Sequence, residues 1–405
     1  MNYRCKISVA FLLVLVLLVP LSLSCGGGGQ PGVVTIKIGE IIDFTGPGAP
    51  AVISLHRAMV DLVKYYNNEG LIPGAKLKLI SYDCQDNPAR DILGYDWCKE
   101  QGAEVIFAVH PTTPITVRPF AERDKVPIAT VSYTDAAAEP PGWVFIFSAS
   151  TNACARTLLK WLSEYRWDYT RGIPKVGFFG WSEPMALGTS AAIEQYCQAK
   201  PDKFDYVGTF LAPFGSLTSQ AEIQALKDCD YIYVQSIPAG AFIRDYHAKG
   251  YDRATFIGDA SNVGYYDFFV NVCGWEALNG MITTNIAPWW NEPNNHAVAF
   301  IKEVIDRYHP GVVPEDIGAS YEGGFFLILS FFEVVRQAVQ EAGLENFDGQ
   351  AFYNAAVKFN LTFEGLPPAG FTQTSRVFVN QVAMHEWRAE VKSMVRISDW
   401  MPVVE

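Results

Sequence analysis

Hydroxyl-bearing side chains recur in this sequence just after short apolar segments that are predicted to be strands. These residues are Thr45, Thr112, Thr113, Ser132 and Thr134. A binding site needs a few fixed polar groups in an otherwise apolar wall, and hydroxyl groups suit a carboxylate or an amide. For any one of these residues the alternative is a helix cap or a turn. Taken together, they favour a ligand-binding site at one edge of a sheet.

Aromatic and acidic residues at predicted loop ends extend this candidate site. Tyr133, Trp181 and Tyr321 could each cover the apolar part of a ligand, although aromatic side chains also pack protein cores. Asp259 and Glu322 are candidates to bind a ligand's amine, and a solvated or helix-capping role is the alternative for each. The sequence alone leaves both roles open.

No catalytic or metal-binding motif accompanies these residues. The sequence contains no G-x-S-x-G, Walker or H-E-x-x-H pattern. Its six histidines are scattered and no C-x-x-C occurs, so we expect no metal site. An enzyme such as a hydrolase would need a positioned nucleophile and base, and we find neither. The pattern therefore favours a binding protein without a cofactor.

The candidate site is positioned by a strand, helix and strand over residues 36–83. Residues 36–42 form an apolar run, apolar side chains recur at helical spacing over 52–66, and residues 75–82 alternate like a half-covered strand. This pattern predicts a right-handed βαβ unit. Ligands of such sheets lie beyond the carboxyl ends of the strands, so the loop 43–50 is the first candidate site.

The same rhythm of strands and helices continues in two series and predicts an α/β protein with two lobes. The first series runs to residue 150, and the second begins near residue 152. Helices are predicted over 296–308 and 319–342, and the tail from residue 363, including 376–379 and 385–388, alternates like edge hairpin strands.

The acidic balance of the chain argues against nucleic acid as a partner. Its 405 residues carry a formal net charge of -12, and 49% are hydrophobic. Phosphate contacts need clustered lysine and arginine, and the sequence contains no such cluster. The length suggests two or three domains with large cores.

The chain begins with a targeting segment over residues 1–24. Arg4 and Lys6 precede an apolar run over 11–19, and Cys25 with the glycines after it resembles a bacterial lipoprotein signal. We expect lipidation of Cys25 and a flexible tether over 25–33, which places the protein outside the cytoplasm at the membrane face or in the periplasm. An ordinary secretory peptide or an uncleaved anchor is the alternative.

An even number of cysteines remains after Cys5 and Cys25. In an oxidising compartment this number permits disulfides without requiring any. Cys197 closes a predicted helix and Cys229 opens a predicted strand, so a bond between them is one hypothesis.

Several of these segments carry a resemblance to a known family. They are Ile38-Gly39 through Thr45-Gly46-Pro47, Tyr66-Asn67-Asn68-Glu69-Gly70, and Tyr82-Asp83-Cys84-Gln85-Asp86-Asn87-Pro88. Residues 34–399 resemble the branched-chain amino acid and amide branch of type I periplasmic binding proteins. The resemblance implies two Rossmann-like lobes joined by three hinge crossings, near residue 148, residues 284–288 and residues 363–370. One lobe would comprise 34–148 and 287–363, the other 149–286 and 364–405.

The resemblance also implies a function and a set of contacts. The family's hydroxyl loops fall on Pro111-Thr112-Thr113 and Ser132-Tyr133-Thr134, which would hold a ligand carboxylate. The second lobe departs from the family, with Met185-Ala186 in place of Tyr-Gly and Pro238-Ala239 near the place of an amine-binding glutamate. The ligand expected is a small amino acid, amide or carboxylate, including one with an aromatic body, rather than leucine itself.

The partners implied are the permease and ATPase subunits of an ABC importer, which would receive the ligand after hinge closure. A ligand-sensing receptor component that docks on a signalling partner is the alternative, because the same fold serves both functions. The genes beside this one would decide between them.

Overall fold

A computed structural model describes residues 33–131 and 135–405 of the chain. The predicted targeting segment, Cys25 and nearly all of the tether lie outside the described residues. So do Ser132, Tyr133 and Thr134, three of the predicted ligand contacts.

The first sheet is parallel throughout and has the strand order β2-β1-β3-β4-β5. Its strands are β1 (Val34–Ile42), β2 (Ala75–Asp83), β3 (Val105–Ala108), β4 (Ile128–Thr130) and β5 (Val144–Ile146). The helices between them are α1 (Ala49–Glu69), α2 (Pro88–Glu100), α3 (Thr113–Asp124) and α4 (Asp135–Ala138). Every residue of β3, β4 and β5 is buried, as expected for parallel strands that helices cover on both faces.

The next part of the chain forms most of the second sheet. Its elements begin with α5 (Thr151–Trp161), β6 (Lys175–Trp181), α6 (Pro184–Gln198), β7 (Asp205–Ala212), α7 (Gln220–Leu226), β8 (Tyr231–Val234), α8 (Pro238–Ala248), β9 (Thr255–Gly258), α9 (Ala260–Gly264), α10 (Tyr266–Leu278) and β10 (Ile282–Asn285). Strands β6 to β10 are parallel, because each pair is joined through a helix on the face of the sheet.

The chain then returns to the first sheet before it ends on the second. The returning elements are α11 (His296–Tyr308), α12 (Ala319–Ala342), α13 (Gly349–Ala356), β11 (Asn360–Leu361) and β12 (Ala369–Gly370). The final strands β13 (Gln381–Arg388), β14 (Ser393–Arg396) and β15 (Met401–Pro402) follow. The second sheet has the order β14-β13-β10-β9-β8-β6-β7, and β13 runs antiparallel to both neighbours.

Helix α12 is the main apolar element that packs on the first sheet. It lies against α1 and α13, and nearly all its residues from Tyr321 to Val335 are buried. Tyr66 Oη on α1 donates to Glu333 Oε1 at 2.5 Å, which ties the two helices together where their apolar faces meet. We call the first sheet with these helices the first lobe, and the second sheet with its helices the second lobe.

The chain passes between the lobes three times, which makes this a two-lobed α/β fold of the type I periplasmic binding class. The first two passages follow β5 and β10. The third lies after Val379, because Val377 forms a bridge with Ile146 and Phe378 N donates to Ile146 O at 2.9 Å. Residues 371–379 therefore lie beside the first sheet, whereas the lobe boundary drawn from the sequence places 364–405 in the second lobe.

Other sequence expectations also differ from the structure. Strand β13 is paired on both sides rather than lying at an edge. Cys197 and Cys229 are both buried free thiols, so the hypothesis of a bond between them was wrong. Helix α10 was not predicted, because its apolar residues lie all round the helix and give no helical period.

Helix α13 docks closely on the first lobe through Gly349. A Cβ atom added there would lie 2.3 Å from Lys125 O and 2.9 Å from Pro127 Cδ. Because a backbone oxygen cannot rotate away as a side chain can, we expect G349A to lower the free energy of unfolding by about 1–3 kcal/mol. Urea denaturation measures this change.

The neighbouring substitution Q350A serves as the control, since Gln350 is exposed on the same helix. We expect it to change the free energy of unfolding by no more than about 0.5 kcal/mol. Equal stability of G349A and Q350A would contradict the close packing of α13.

Candidate functional site

A cleft of about 1110 Å³, including its opening to solvent, lies between the strand ends of the two lobes. The first lobe contributes residues that follow β2, β3 and β5, and the second contributes residues at or after the ends of β6, β8 and β10. They include Asp86, His110, Ser148, Glu183, Ser236 and Asn285. This location follows from the parallel sheets, whose carboxyl edges both meet the cleft.

Asp86 and His110 form a charged pair on the first-lobe side of the cleft. His110 Nε2 lies 2.7 Å from Asp86 Oδ1, and His110 Nδ1 lies 3.0 Å from Thr112 Oγ1. Gln85 and Asp86 both have left-handed backbone conformations, with φ of 55° and 52°, which turn the chain sharply after β2. The strained turn thus presents the Asp86 carboxylate to the histidine.

The charges around His110 favour the protonated form of its imidazole ring. Burial lowers the pKa of His110, but the hydrogen bond and charge of Asp86, together with the charges of Glu183 and Asp91, raise it above its ordinary value overall. The imidazole ring is already paired with a carboxylate of the same lobe.

Glu183 lies on the opposite side of the cleft, between β6 and α6. The residue is 8% exposed, and Ser236 Oγ donates to Glu183 Oε1 at 3.3 Å. Burial raises the pKa of Glu183, and the charge of Asp86 adds to that effect, while the charge of His110 opposes it. Groups from both lobes therefore influence one another's ionisation across the cleft.

Apolar side chains form most of the remaining wall. Trp181 lines the cleft and donates from Nε1 to Ser216 O at 2.6 Å, and its ring lies 5.0 Å from that of Phe214. Leu55 from α1 and Leu327 from α12 also line the cleft. Trp181 is the predicted contact that the structure places in the cleft wall.

The predicted hydroxyl groups of the first lobe serve other partners in the structure. Thr45 is exposed, and its Oγ1 donates to Asp83 Oδ2 at 2.8 Å. Thr112 occupies the N-cap position of α3, and Thr113 is buried and donates to Asp91 Oδ1 at 3.0 Å. None of these three described threonines is among the cleft-lining residues.

Asp259 and Tyr321 lie behind the cleft wall rather than in it. Asp259 caps α9 by accepting from Ser261 N at 2.8 Å, and it also accepts from Tyr233 Oη at 2.6 Å. Tyr321 Oη donates to Asp61 Oδ2 at 3.1 Å. Their polar groups are therefore already used within the protein.

Glu322 is also absent from the cleft-lining residues, although its neighbours Ser320 and Gly323 line the cleft. It is fully buried, and neither carboxyl oxygen has a partner among the described residues. Burial raises the pKa of Glu322 well above its ordinary value, and the charge of Glu292 adds to this effect. Because Glu322 does not line the cleft, its carboxyl group is not placed to bind a ligand's amine.

Sequence reasoning missed most of the polar residues that line the cleft. His110 lies next to Pro111 and Glu183 lies two positions after Trp181, both of which were singled out, and their position after a strand was the available signal. The Nδ2 atom of Asn285 and the Oγ atom of Ser261 are buried without partners among the described residues, and both residues line the cleft. No local pattern marks these last two residues.

Two further findings concern the described residues alone. In residues 33–131 and 135–405, no group of three histidine, cysteine, aspartate or glutamate side chains is placed to hold a metal ion. No helix in the same ranges has the length and apolar character needed to cross a membrane.

Two α/β lobes with strand ends facing a shared cleft define the class of hinged solute-binding proteins. The chain belongs to the periplasmic binding protein family, whose model matches residues 35–392. This match confirms the resemblance inferred from the sequence, and membership implies an extracytoplasmic protein. A search of curated proteins gave no match.

Solved structures of the same fold have low sequence identity to this chain. One is a branched-chain amino acid ABC transporter protein from Thermus thermophilus with bound valine, with TM-score 0.78, 16% identity, and 92% and 97% of the two chains covered. Another is a solute-binding protein from Rhodopseudomonas palustris BisB5 in complex with 3,4-dihydroxybenzoic acid, with TM-score 0.73, 18% identity, and coverage of 92% and 98%. A third is a fatty acid ABC transporter substrate-binding protein from Thermomonospora curvata, with TM-score 0.76, 14% identity, and coverage of 91% and 92%.

Asp91, which lies behind His110, should make stability depend on pH. Burial raises the pKa of Asp91 to about 6, although the bond from Thr113 and the charge of His110 oppose the shift. In the unfolded chain the pKa is about 3.9. The native state therefore favours the protonated carboxyl, and stability is lost as the pH rises from about 4 through 6.

The variant D91N removes this titration. We expect the stability of the native protein, relative to D91N, to fall by about 2–3 kcal/mol between pH 4 and pH 7. Urea denaturation across this range measures the difference. Parallel pH profiles for the two proteins would show that Asp91 does not titrate abnormally.

Proposed function

We propose that this protein is the solute-binding component of an ABC importer, which captures a small organic ligand between its lobes and delivers it to a membrane permease with its ATPase subunit. The observation that carries the proposal is that Asp86 and His110 from one lobe and Glu183 from the other line the same cleft. A ligand that contacts both sides stabilises the closed arrangement of the lobes.

The proposed mechanism is capture by hinge closure, with no chemical step. The passages between the lobes act as the hinge, and the ligand contributes the contacts that favour closure. Trp181 covers the apolar part of the ligand. Ser132, Tyr133 and Thr134 remain proposed contacts, because Val131 immediately before them lines the cleft.

The proposed ligand class is a small amino acid, amide or carboxylate, including one with an aromatic body. The relatives named above support a family that accepts varied small organic molecules, since they are a valine complex, a 3,4-dihydroxybenzoic acid complex and a fatty acid ABC transporter substrate-binding protein. The largely apolar wall with a few polar groups suits such ligands.

The proposed location is outside the cytoplasm, with the protein held at the membrane by a lipid on Cys25. The basic and apolar residues before Cys25 and the glycines after it support this proposal. A flexible tether over residues 25–33 would let the lobes reach a permease.

Blocking the cleft at Gly323 tests the function. Gly323 lies on α12 and lines the cleft, and a Cβ added there would meet no atom within 4 Å. We expect G323F to fill the cleft and lower ligand affinity by at least about tenfold, or about 1.4 kcal/mol.

A thermal-shift screen of amino acids, amides and aromatic acids identifies the ligand for this measurement. At a ligand concentration of a hundred times Kd, we expect the ligand to stabilise the wild type by about 2.7 kcal/mol.

The matched control is G323A, which makes the same backbone change without the bulk. We expect G323A to bind as the wild type does, with a free energy of unfolding up to about 1 kcal/mol higher, because alanine is the better helix former. Undiminished binding by G323F would place the ligand elsewhere and contradict the proposed function.

A further inference from the structure

The charged side chains that line the cleft are strongly biased in sign. Among the described lining residues they are Asp86, Glu183 and His110, and neither lysine nor arginine is present. Residues 132–134, which the structure does not describe, include no lysine or arginine. A ligand therefore meets two carboxyl groups and a single imidazole among the described lining residues.

The imidazole of His110 is not available to an incoming anion. Both ring nitrogens of His110 already lie within hydrogen-bond distance of protein oxygens, at 2.7 Å from Asp86 and 3.0 Å from Thr112. In contrast, Asp86 and Glu183 each have one carboxyl oxygen without a partner among the described residues. These two free carboxyl oxygens of Asp86 and Glu183 can accept hydrogen bonds, so the ligand must provide a donor.

Two helix N-termini near the cleft are likewise occupied by carboxylates of the protein itself. Asp43 accepts from Gly48 N at 2.8 Å at the start of α1, and Asp259 caps α9. These helix ends would otherwise favour an anion. Their occupation removes two of the groups that could hold a carboxylate ligand.

A second, independent observation defines the other end of the ligand. Asn285 is 1% exposed, lines the cleft, and its Nδ2 has no partner among the described residues. Asn285 is the last residue of β10, and Glu183 follows β6. In the order β10-β9-β8-β6, two strands lie between β10 and β6, so these strands are three strand spacings apart. Because neighbouring strands lie about 4.8 Å apart, β10 and β6 are separated by about 14 Å.

On the basis of the proposed function, we propose that the ligand is an elongated organic amine. Its ammonium group binds between Glu183 of the second lobe and Asp86 of the first, and its apolar body lies against Trp181 and Leu327. An acceptor such as a carbonyl oxygen, at its other end, receives a hydrogen bond from Asn285 beside the passage between the lobes. This assignment differs from the carboxylate ligand that the hydroxyl loops suggest.

Matched compounds that differ in their terminal group, which is cationic, neutral or anionic, test the inference on the wild-type protein by calorimetry. One series is 6-acetamidohexylamine, 6-acetamidohexanamide and 6-acetamidohexanoate, and the other is phenethylamine, 3-phenylpropanamide and 3-phenylpropanoate. We expect each amine to bind at least about tenfold more tightly than the carboxylate of its series, because only the amine pairs with the buried acids.

Two substitutions locate the ends of the ligand. E183Q should weaken amine binding by about tenfold or more while leaving the carboxylates no weaker, since it keeps the shape and removes the charge. E194Q makes the same change on α6 away from the cleft and should bind as the wild type does. N285A should weaken the acetamido series by about threefold or more and leave the phenethyl series unchanged.

The possible outcomes separate the two proposals. Carboxylates that bind as tightly as the amines, or amines that do not bind at all, would overturn the amine assignment, and the solute-binding function would stand if another screened compound binds wild type but not G323F. Failure of every compound in both screens would overturn the solute-binding function as well.

Discussion

The structure depends on how polar groups are satisfied where parallel strands end and helices begin. Every such junction exposes backbone amides that no helix or strand partner can reach. In this protein carboxylates supply many of the missing acceptors: Asp43 and Asp83 hold the loop after β1, and Asp259 holds the start of α9. The polar groups available to a ligand are those that make no hydrogen bond within these junctions.

This constraint explains why the fold was easier to predict than the site. The βαβ unit of β1, α1 and β2 follows from local spacing of apolar residues, and α1 ends at Gly70, whose φ of 63° is left-handed. Helix α10 escaped prediction because it is apolar on all sides and kinked at Gly274. Asp348 marks the start of helix α13 in the sequence, because its side chain caps the helix by accepting a hydrogen bond from Ala351 N.

The role of a side chain in the site depends on partners that are distant in the sequence. Thr113 donates to a residue 22 positions away, and Tyr321 donates to one 260 positions away. No local pattern distinguishes these hydroxyl groups from ligand contacts, because a hydroxyl after a strand suits both roles. Trp181, which lines the cleft, could be predicted because its place at the end of β6 and its size are both visible in the local sequence.

The cysteines of residues 33–405 are all free, and five of these six are buried. Burial raises the pKa of Cys84, Cys98, Cys197, Cys229 and Cys273 to about 12 and that of Cys154 still higher, so thiolate is scarce near neutral pH. Maleimide dyes need the thiolate and an accessible sulfur. Cysteines introduced on the surface of each lobe could thus be labelled selectively over these six, so that fluorescence energy transfer between the lobes can test the proposed closure.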